Sequence, residues 1–156
     1  MADLKTRTRL AAAYEADFHA WTKDQAARLR DLRPNSIDWE NVAEEIESLG
    51  RSEKREIENR LGVLLIHLLK WAHQPERRKL GWQATIVEQR RKLARAVEES
   101  PSLGAYPRSV LGEEYEVARA RAADETDLPE DIFPATCPFT IEQVLDPGFW
   151  PEAPQP

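Results

Sequence analysis

The sequence is poor in cysteine, in histidine and in long apolar runs, and each shortage excludes a class of protein. Its single cysteine, Cys137, cannot form an internal disulfide and has no second cysteine at zinc-ligand spacing. A lone thiol fits a reducing compartment, so we expect a cytoplasmic protein. Because no metal-ligand spacing or cofactor-binding motif is present, we expect neither a metal nor a cofactor. The longest apolar stretch falls short of the roughly 20 residues of a membrane span, and we expect no membrane association.

Catalytic motifs are also missing from the sequence. It contains no Gly-x-Ser-x-Gly, no P-loop and no dinucleotide-binding fingerprint. None of the three histidines has a glutamate three positions earlier, which excludes the usual ligand pair of di-iron helical bundles. A metal site assembled from Glu45, His67 and distant residues stays open, but nothing in these patterns favours an enzyme.

Alternation with a period of two, the mark of strands, occurs nowhere, whereas helical spacing is widespread. The most apolar segment is Leu61–His73, in which nine of thirteen residues are apolar. That is too many for one amphipathic stripe, so we expect a central helix with neighbours on several sides. The sequence predicts an all-α fold: a single helical bundle of four to six helices over residues 14–152, after a mobile tail at 1–13 and before a flexible C-terminus at 153–156.

Helix boundaries follow from caps and prolines. The predicted helices are Tyr14–Leu32, Trp39–Leu49 with Ser36 or Asp38 as N-cap and Gly50 at its end, Ser52–Gln74, about Glu76–Glu99, and a fifth that ends near Thr126. From Leu128 onward, prolines alternate with large apolar residues, which predicts a strap that buries Ile132, Phe133, Phe139, Phe149 and Trp150. Within the strap, Thr140 and Gln143 form a capping-box pattern that predicts a short helix over Ile141–Leu145.

Several short stretches resemble a known family. They are Tyr14–Phe18, Glu44–Gly50, His67–Trp71 with Gln74–Pro75, then Trp82, Thr85–Ile86 and Gln89–Arg90, and Cys137–Thr140. Together they are similar to the bacterial family called domain of unknown function 29, over about Tyr14 to Glu152. The resemblance implies an all-helical, intracellular bacterial protein, and it brings no activity with it.

Polar residues in or beside the apolar stripes make the candidate site. They are Gln25, Glu45, Arg60, His67, Gln89 and Arg90. Buried polar groups are costly unless each finds a partner, so we expect a network among some of them. One interpretation is structural, with the network fixing the register of the helices. The other is a polar cleft in which Glu45 orients His67 for work near neutral pH.

Charge is distributed in two blocks although the chain carries a net charge of −6. The predicted fourth helix holds seven basic residues, and residues 38–58 hold eight acidic ones. The basic block has the electrostatic character of a nucleic-acid surface. Mutual pairing of the two blocks explains both without a ligand.

A non-enzymatic helical interaction or regulatory module fits these patterns best. The partner would be another protein or a second copy of the chain. The alternatives are a ligand-binding, metal-binding or catalytic bundle around His67 and Glu45, and nucleic-acid association through the basic helix 76–99.

Overall fold

The computed structural model describes residues 4–32 and 38–154, and every regular element in these ranges is helical. The six α-helices are α1 (Leu4–Ala16), α2 (Phe18–Leu32), α3 (Trp39–His73), α4 (Leu80–Glu99), α5 (Tyr106–Thr126) and α6 (Ile141–Leu145). Short 3₁₀ turns occur at Pro75–Arg77, Pro101–Leu103 and Glu130–Ile132. The predicted all-α class is confirmed. No described helix combines the length and apolar character that a membrane crossing requires.

The chain groups into two compact units. The first unit comprises Met1–Glu56 with Ala96–Gly104, and the second comprises Ile57–Arg95 with Ala105–Pro156. Helices α3 and α4 run through both units, so one domain over 14–152 remains a prediction. Residues 155 and 156 of the predicted flexible C-terminus lie outside the described residues.

In the first unit, the predicted helix start at Tyr14 is wrong. Helix α1 begins at Leu4, inside the predicted tail, and none of its residues is buried. A separate helix, α2, begins at Phe18, because Asp17 acts as its N-cap. The Asp17 Oδ1 atom accepts the backbone N–H of Ala20 at 2.8 Å, which satisfies a donor that the first helical turn leaves free. Mobility of the tail stays a prediction.

Helix α3 is continuous, so the predicted end at Gly50 and restart at Ser52 are wrong. A Cβ atom added to Gly50 would lie 2.6 Å from Thr22 Oγ1 and 3.1 Å from His19 Nδ1. Gly50 is therefore a place where α2 packs closely against α3, and not a helix terminus. The other end matches the prediction, since Asp38 Oδ1 accepts the N–H of Asn41 at 3.2 Å. Ser36, the alternative N-cap, lies outside the described residues.

The core of the second unit forms around Leu61–His73, as predicted. Leu61, Leu64, Leu65, Leu68 and Leu69 are fully buried. Other helices and the C-terminal segment supply the remaining buried apolar groups, among them Ile86, Leu93, Tyr115, Ala118, Ala122, Phe133, Ile141 and Val144. Aliphatic burial of this kind supplies most of the stabilisation of a helical unit.

Proline decides where α3 ends and α4 begins. Helix α3 ends at His73, one residue before the predicted limit, and Pro75 opens a 3₁₀ turn. Arg78 then adopts an extended conformation with a ψ of 131°. Helix α4 consequently starts at Leu80 and not at Glu76 as predicted, because an extended residue breaks the helical backbone.

The C-terminal strap packs its large apolar side chains, with one exception. Phe133 is buried, and Trp150 lies 4.7 Å from Trp71 between ring centroids. Phe139 and Phe149 are half-buried and pack edge to face. Ile132 is 50% exposed, so its predicted burial is wrong. It lies in the 3₁₀ turn Glu130–Ile132, directly before Phe133 takes the buried position.

The short helix α6 begins and ends at the predicted residues, and its capping box is present. Thr140 Oγ1 accepts the N–H of Gln143 at 3.2 Å, and Gln143 Oε1 accepts the N–H of Thr140 at 3.0 Å. The local sequence is sufficient to specify this helix because both capping partners lie within it.

The raised pKa of Tyr115 makes the stability of the protein depend on pH. Its hydroxyl donates to Pro134 O at 2.6 Å, and burial raises the pKa of Tyr115 to about 12. Between about pH 10 and 12 the unfolded state loses the phenol proton while the folded state keeps it, so stability falls across this window. We expect the stability advantage of wild type over Tyr115→Phe to shrink by on the order of 1 kcal/mol in this window. Urea unfolding at several pH values measures it, and a constant difference would contradict it.

Candidate functional site

Among the described contacts, one hydrogen bond joins two of the six predicted site residues. Arg60 Nη1 donates to Gln89 Oε1 at 3.2 Å, linking α3 to α4 within the second unit. His67 and Arg90 also lie in the second unit, whereas Gln25 and Glu45 lie in the first. Gln25, His67 and Arg90 have described partners outside the predicted set.

Gln25 and Glu45 have surface character. Gln25 is half-buried, and its Nε2 donates to the neighbouring Asp24 Oδ2 at 3.1 Å. Glu45 is exposed, so it is not the core-bordering carboxylate that its position in the stripe indicated. The carboxylate of α3 that pairs closely with an arginine is Glu47 and not Glu45. Arg30 donates to both Glu47 oxygens, at 2.6 and 3.1 Å.

His67 is held by its own helix. Its Nδ1 lies 2.9 Å from Val63 O, and because a carbonyl oxygen only accepts, Nδ1 carries the proton. Burial lowers the pKa of His67 and outweighs the opposing effect of this bond. The ring is therefore a neutral, half-buried imidazole near neutral pH, and the role predicted for Glu45 in orienting it is taken by the Val63 carbonyl.

Arg90 belongs to the interior and not to the basic surface. It is 3% exposed; its Nε donates to Val144 O at 2.8 Å, and its Nη2 reaches Gln143 O at 3.4 Å. These carbonyls belong to α6, so Arg90 anchors the strap. Its Nη1 is buried without a partner in the described part of the chain, and its guanidinium lies 5.6 Å from the Trp150 ring centroid. Burial lowers the pKa of Arg90.

Nucleic-acid association was predicted from the basic residues of helix 76–99. Local contacts leave fewer of these side chains available to bind phosphates. Arg90 is buried, Arg78 donates to Trp71 O at 2.9 Å, and Lys92 pairs with Glu88 one turn earlier. In the acidic block, Glu40, Glu44 and Glu47 pair with Arg30 and Arg51 of the first unit. For these three glutamates the predicted pairing with the basic helix is replaced by partners nearer in sequence.

An exposed stripe on α4 is the feature that sequence analysis missed. Leu80 is 83% exposed and Val87 is 51% exposed, and Ala84, Arg91 and Ala94 are exposed as well. At 100° per residue these positions fall within an arc of about 80°, so they form one face, here called the α4 face. The signal was present in the sequence, because Leu80, Val87 and Ala94 recur every seven residues, outside the buried stripe of Trp82, Ile86 and Leu93.

Metal ligands and a reactive thiol are the remaining kinds of functional group to consider. Among the residues that the structure describes, no three His, Cys, Asp or Glu side chains group so as to hold a metal ion. Cys137 is half-buried, its thiol donates to Phe139 O at 3.4 Å, and burial raises its pKa. A thiol whose pKa is raised is a poor nucleophile, which fits a packing role.

Comparison with known proteins gives a family and a fold. The family model described as "Domain of unknown function DUF29" matches residues 13–150. The chain is similar to the crystal structure of an α-helical protein of unknown function from Rhodospirillum rubrum, with a TM-score of 0.74 and 26% sequence identity. That similarity covers 87% of this chain and 90% of the other. No curated protein matches the chain, and neither description names an activity.

Proposed function

The chain belongs to the family described as domain of unknown function DUF29, and from this premise we propose that it is a non-enzymatic interaction module whose α4 face binds an acidic amphipathic helix of another protein. The observation that carries the proposal is the line of exposed apolar side chains on α4. Single exposed aliphatic residues are ordinary on protein surfaces, but an aligned series marks an interaction site.

The dimensions of the α4 face suit a helix. From Leu80 to Ala94 it runs for about 21 Å along the axis, at 1.5 Å per residue. Large side chains at Leu80 and Val87 alternate with small ones at Ala84 and Ala94, which leaves hollows between the protruding groups. A partner helix with aliphatic residues at heptad spacing fits such a surface by placing its side chains in these hollows.

Charge selects the kind of helix. Arg91 lies within the α4 face, and exposed Lys79 precedes it. Arg91 is the one charged residue among the five positions of the face, so a second copy of the face supplies no opposite charge to it. A helix with carboxylates beside its aliphatic stripe would place them opposite Arg91 and gain both apolar burial and charge complementarity.

The proposed setting is the bacterial cytoplasm. The solved relative comes from Rhodospirillum rubrum, and the lone Cys137 fits a reducing compartment. A non-enzymatic role is supported by the neutral, helix-bonded His67 and by the buried Arg90. The described hydrogen bond of the His67 ring is to its own helix and Arg90 is bonded to carbonyls of α6, so neither has a carboxylate partner that would orient it for acid–base chemistry.

Site-specific photo-crosslinking tests the proposal. A photoreactive amino acid replaces Val87 in one strain of the native host and Val117 in another. Val117 is the matched control, because it is also a valine on a helix of the second unit and is also 51% exposed. We expect crosslinking at position 87 to one partner, at an acidic segment with helical spacing of aliphatic residues, and none at position 117.

Two outcomes would contradict the proposal. Equal crosslinking at positions 87 and 117 would show that the α4 face has no preference over an ordinary exposed valine. Crosslinking at 87 to a second copy of the chain, or to nucleic acid, would replace the proposed partner with one of the alternatives predicted from the sequence.

A further inference from the structure

A cavity in the first unit has a different chemistry from that of the α4 face. Its volume is about 160 Å³, and it is lined by His19, Lys23, Glu47, Arg51 and Lys54. A cavity of about 150 Å³ accommodates a molecule the size of benzene, so a tetrahedral oxyanion fits. Three of the lining side chains are cationic and one is a carboxylate.

His19 forms a fixed wall of this cavity. It is 7% exposed, and its Nδ1 lies 3.1 Å from Gly50 O. Because the carbonyl only accepts, Nδ1 carries a proton, and in the Nδ1–H tautomer Nε2 is an acceptor. Nε2 has no hydrogen-bond partner in the part of the chain that the structure describes. The backbone of His19 is also fixed, since its N–H donates to Ser100 Oγ at 3.2 Å and its carbonyl accepts from Thr22 Oγ1 at 2.8 Å.

The charged groups around the ring favour an anion. Both oxygens of Glu47 accept hydrogen bonds from Arg30, which compensates the only carboxylate among the lining residues. Arg51 donates to Glu44 at 2.5 Å and keeps its guanidinium at the cavity wall. Lys23 is exposed and contributes a cationic ammonium to the lining.

We propose that this cavity binds hydrogen phosphate, whose oxygens accept from Lys23 and Arg51 and whose one hydroxyl donates to His19 Nε2. Cationic donors together with the acceptor Nε2 select for an anion that carries a hydroxyl group. Sulfate presents only acceptors and would leave Nε2 unpaired, as would a phosphate ester, which at about pH 8 has lost its last ionisable proton. The cavity therefore distinguishes free hydrogen phosphate from both.

Titration at about pH 8 and constant ionic strength tests this site, with ¹⁵N detection of the His19 ring. Inorganic phosphate, methyl phosphate and sulfate are compared on the whole chain. We expect phosphate to bind at least about tenfold more tightly than the other two, which corresponds to the loss of one hydrogen bond of about 1.4 kcal/mol. Equal affinity for phosphate and sulfate, or for phosphate and methyl phosphate, would overturn the proposal.

Three variants separate the roles of the lining residues. His19→Asn keeps a donor for Gly50 O but removes Nε2, so we expect it to abolish the preference for phosphate over sulfate. Lys23→Gln should weaken all three anions several-fold, whereas Lys5→Gln, at an exposed lysine elsewhere in the first unit, should change none. If His19→Asn fails to fold, the anion series and the lysine pair still decide, and equal behaviour of the two lysine variants would overturn the proposal.

Discussion

Replacing Gly50 with alanine is expected to lower the free energy of unfolding by about 1–3 kcal/mol, against the usual preference of helices for alanine. The new Cβ would lie 2.6 Å from Thr22 Oγ1, well inside van der Waals contact. Thr22 is fully buried and its hydroxyl donates to His19 O at 2.8 Å, so the side chain cannot turn away without losing that bond. Urea unfolding of purified protein measures the change.

Gly112→Ala is the matched control. Gly112 also lies inside a long helix, α5, but a Cβ added there has no neighbouring atom within 4 Å. Only the backbone entropy of glycine changes at this site, so we expect a gain of about 0.5–1 kcal/mol. If both substitutions stabilised the protein, Thr22 of α2 would not lie in close contact with Gly50.

The second large effect is expected at Arg90. Removing its side chain as Arg90→Ala leaves the carbonyls of Val144 and Gln143 without their donor and leaves a cavity beside Trp150. Unmet buried acceptors cost about 1–3 kcal/mol each, and cavities add to this, so we expect a loss of about 3 kcal/mol. Hydrogen exchange should rise over Ile141–Leu145, because Arg90 holds that helix in place.

Arg91→Ala is the control for Arg90. Its side chain is the next along the same helix, but it is exposed. Substitutions at such sites usually change stability by about 0.5 kcal/mol or less. Equal destabilisation by the two substitutions would show that Arg90 acts through general charge and not through its contacts with the strap.

Local patterns were sufficient where the partners of a residue lie nearby in sequence. The capping box of Thr140 and Gln143 and the apolar run Leu61–His73 are of this kind, and the structure has both. Gly50 was misread because glycine serves equally to end a helix and to admit a close neighbour. The position of Thr22, which is distant in sequence, distinguishes a helix end from a close contact at Gly50.

The candidate site was less accessible to sequence reasoning. Arg90 and Arg91 are adjacent members of one basic run, yet a rotation of 100° along α4 places the first in the interior and the second on the surface. Glu45 was expected beside the core on the same periodic argument and is exposed. The seven-residue spacing of the α4 face is visible in the sequence. An apolar stripe predicts that a helix face is buried, but it does not distinguish burial within this chain from burial against another protein.

The most direct test of the proposed function uses the segment that crosslinks to position 87, made as a synthetic peptide. Its affinity is measured by calorimetry for wild type, for Leu80→Ser with Val87→Ser, and for Val117→Ser. Each aliphatic group lost from the interface is worth on the order of 1 kcal/mol, so the double variant should bind at least about tenfold more weakly, while Val117→Ser matches wild type. Equal affinities for all three proteins would contradict the assignment of the α4 face as the binding surface.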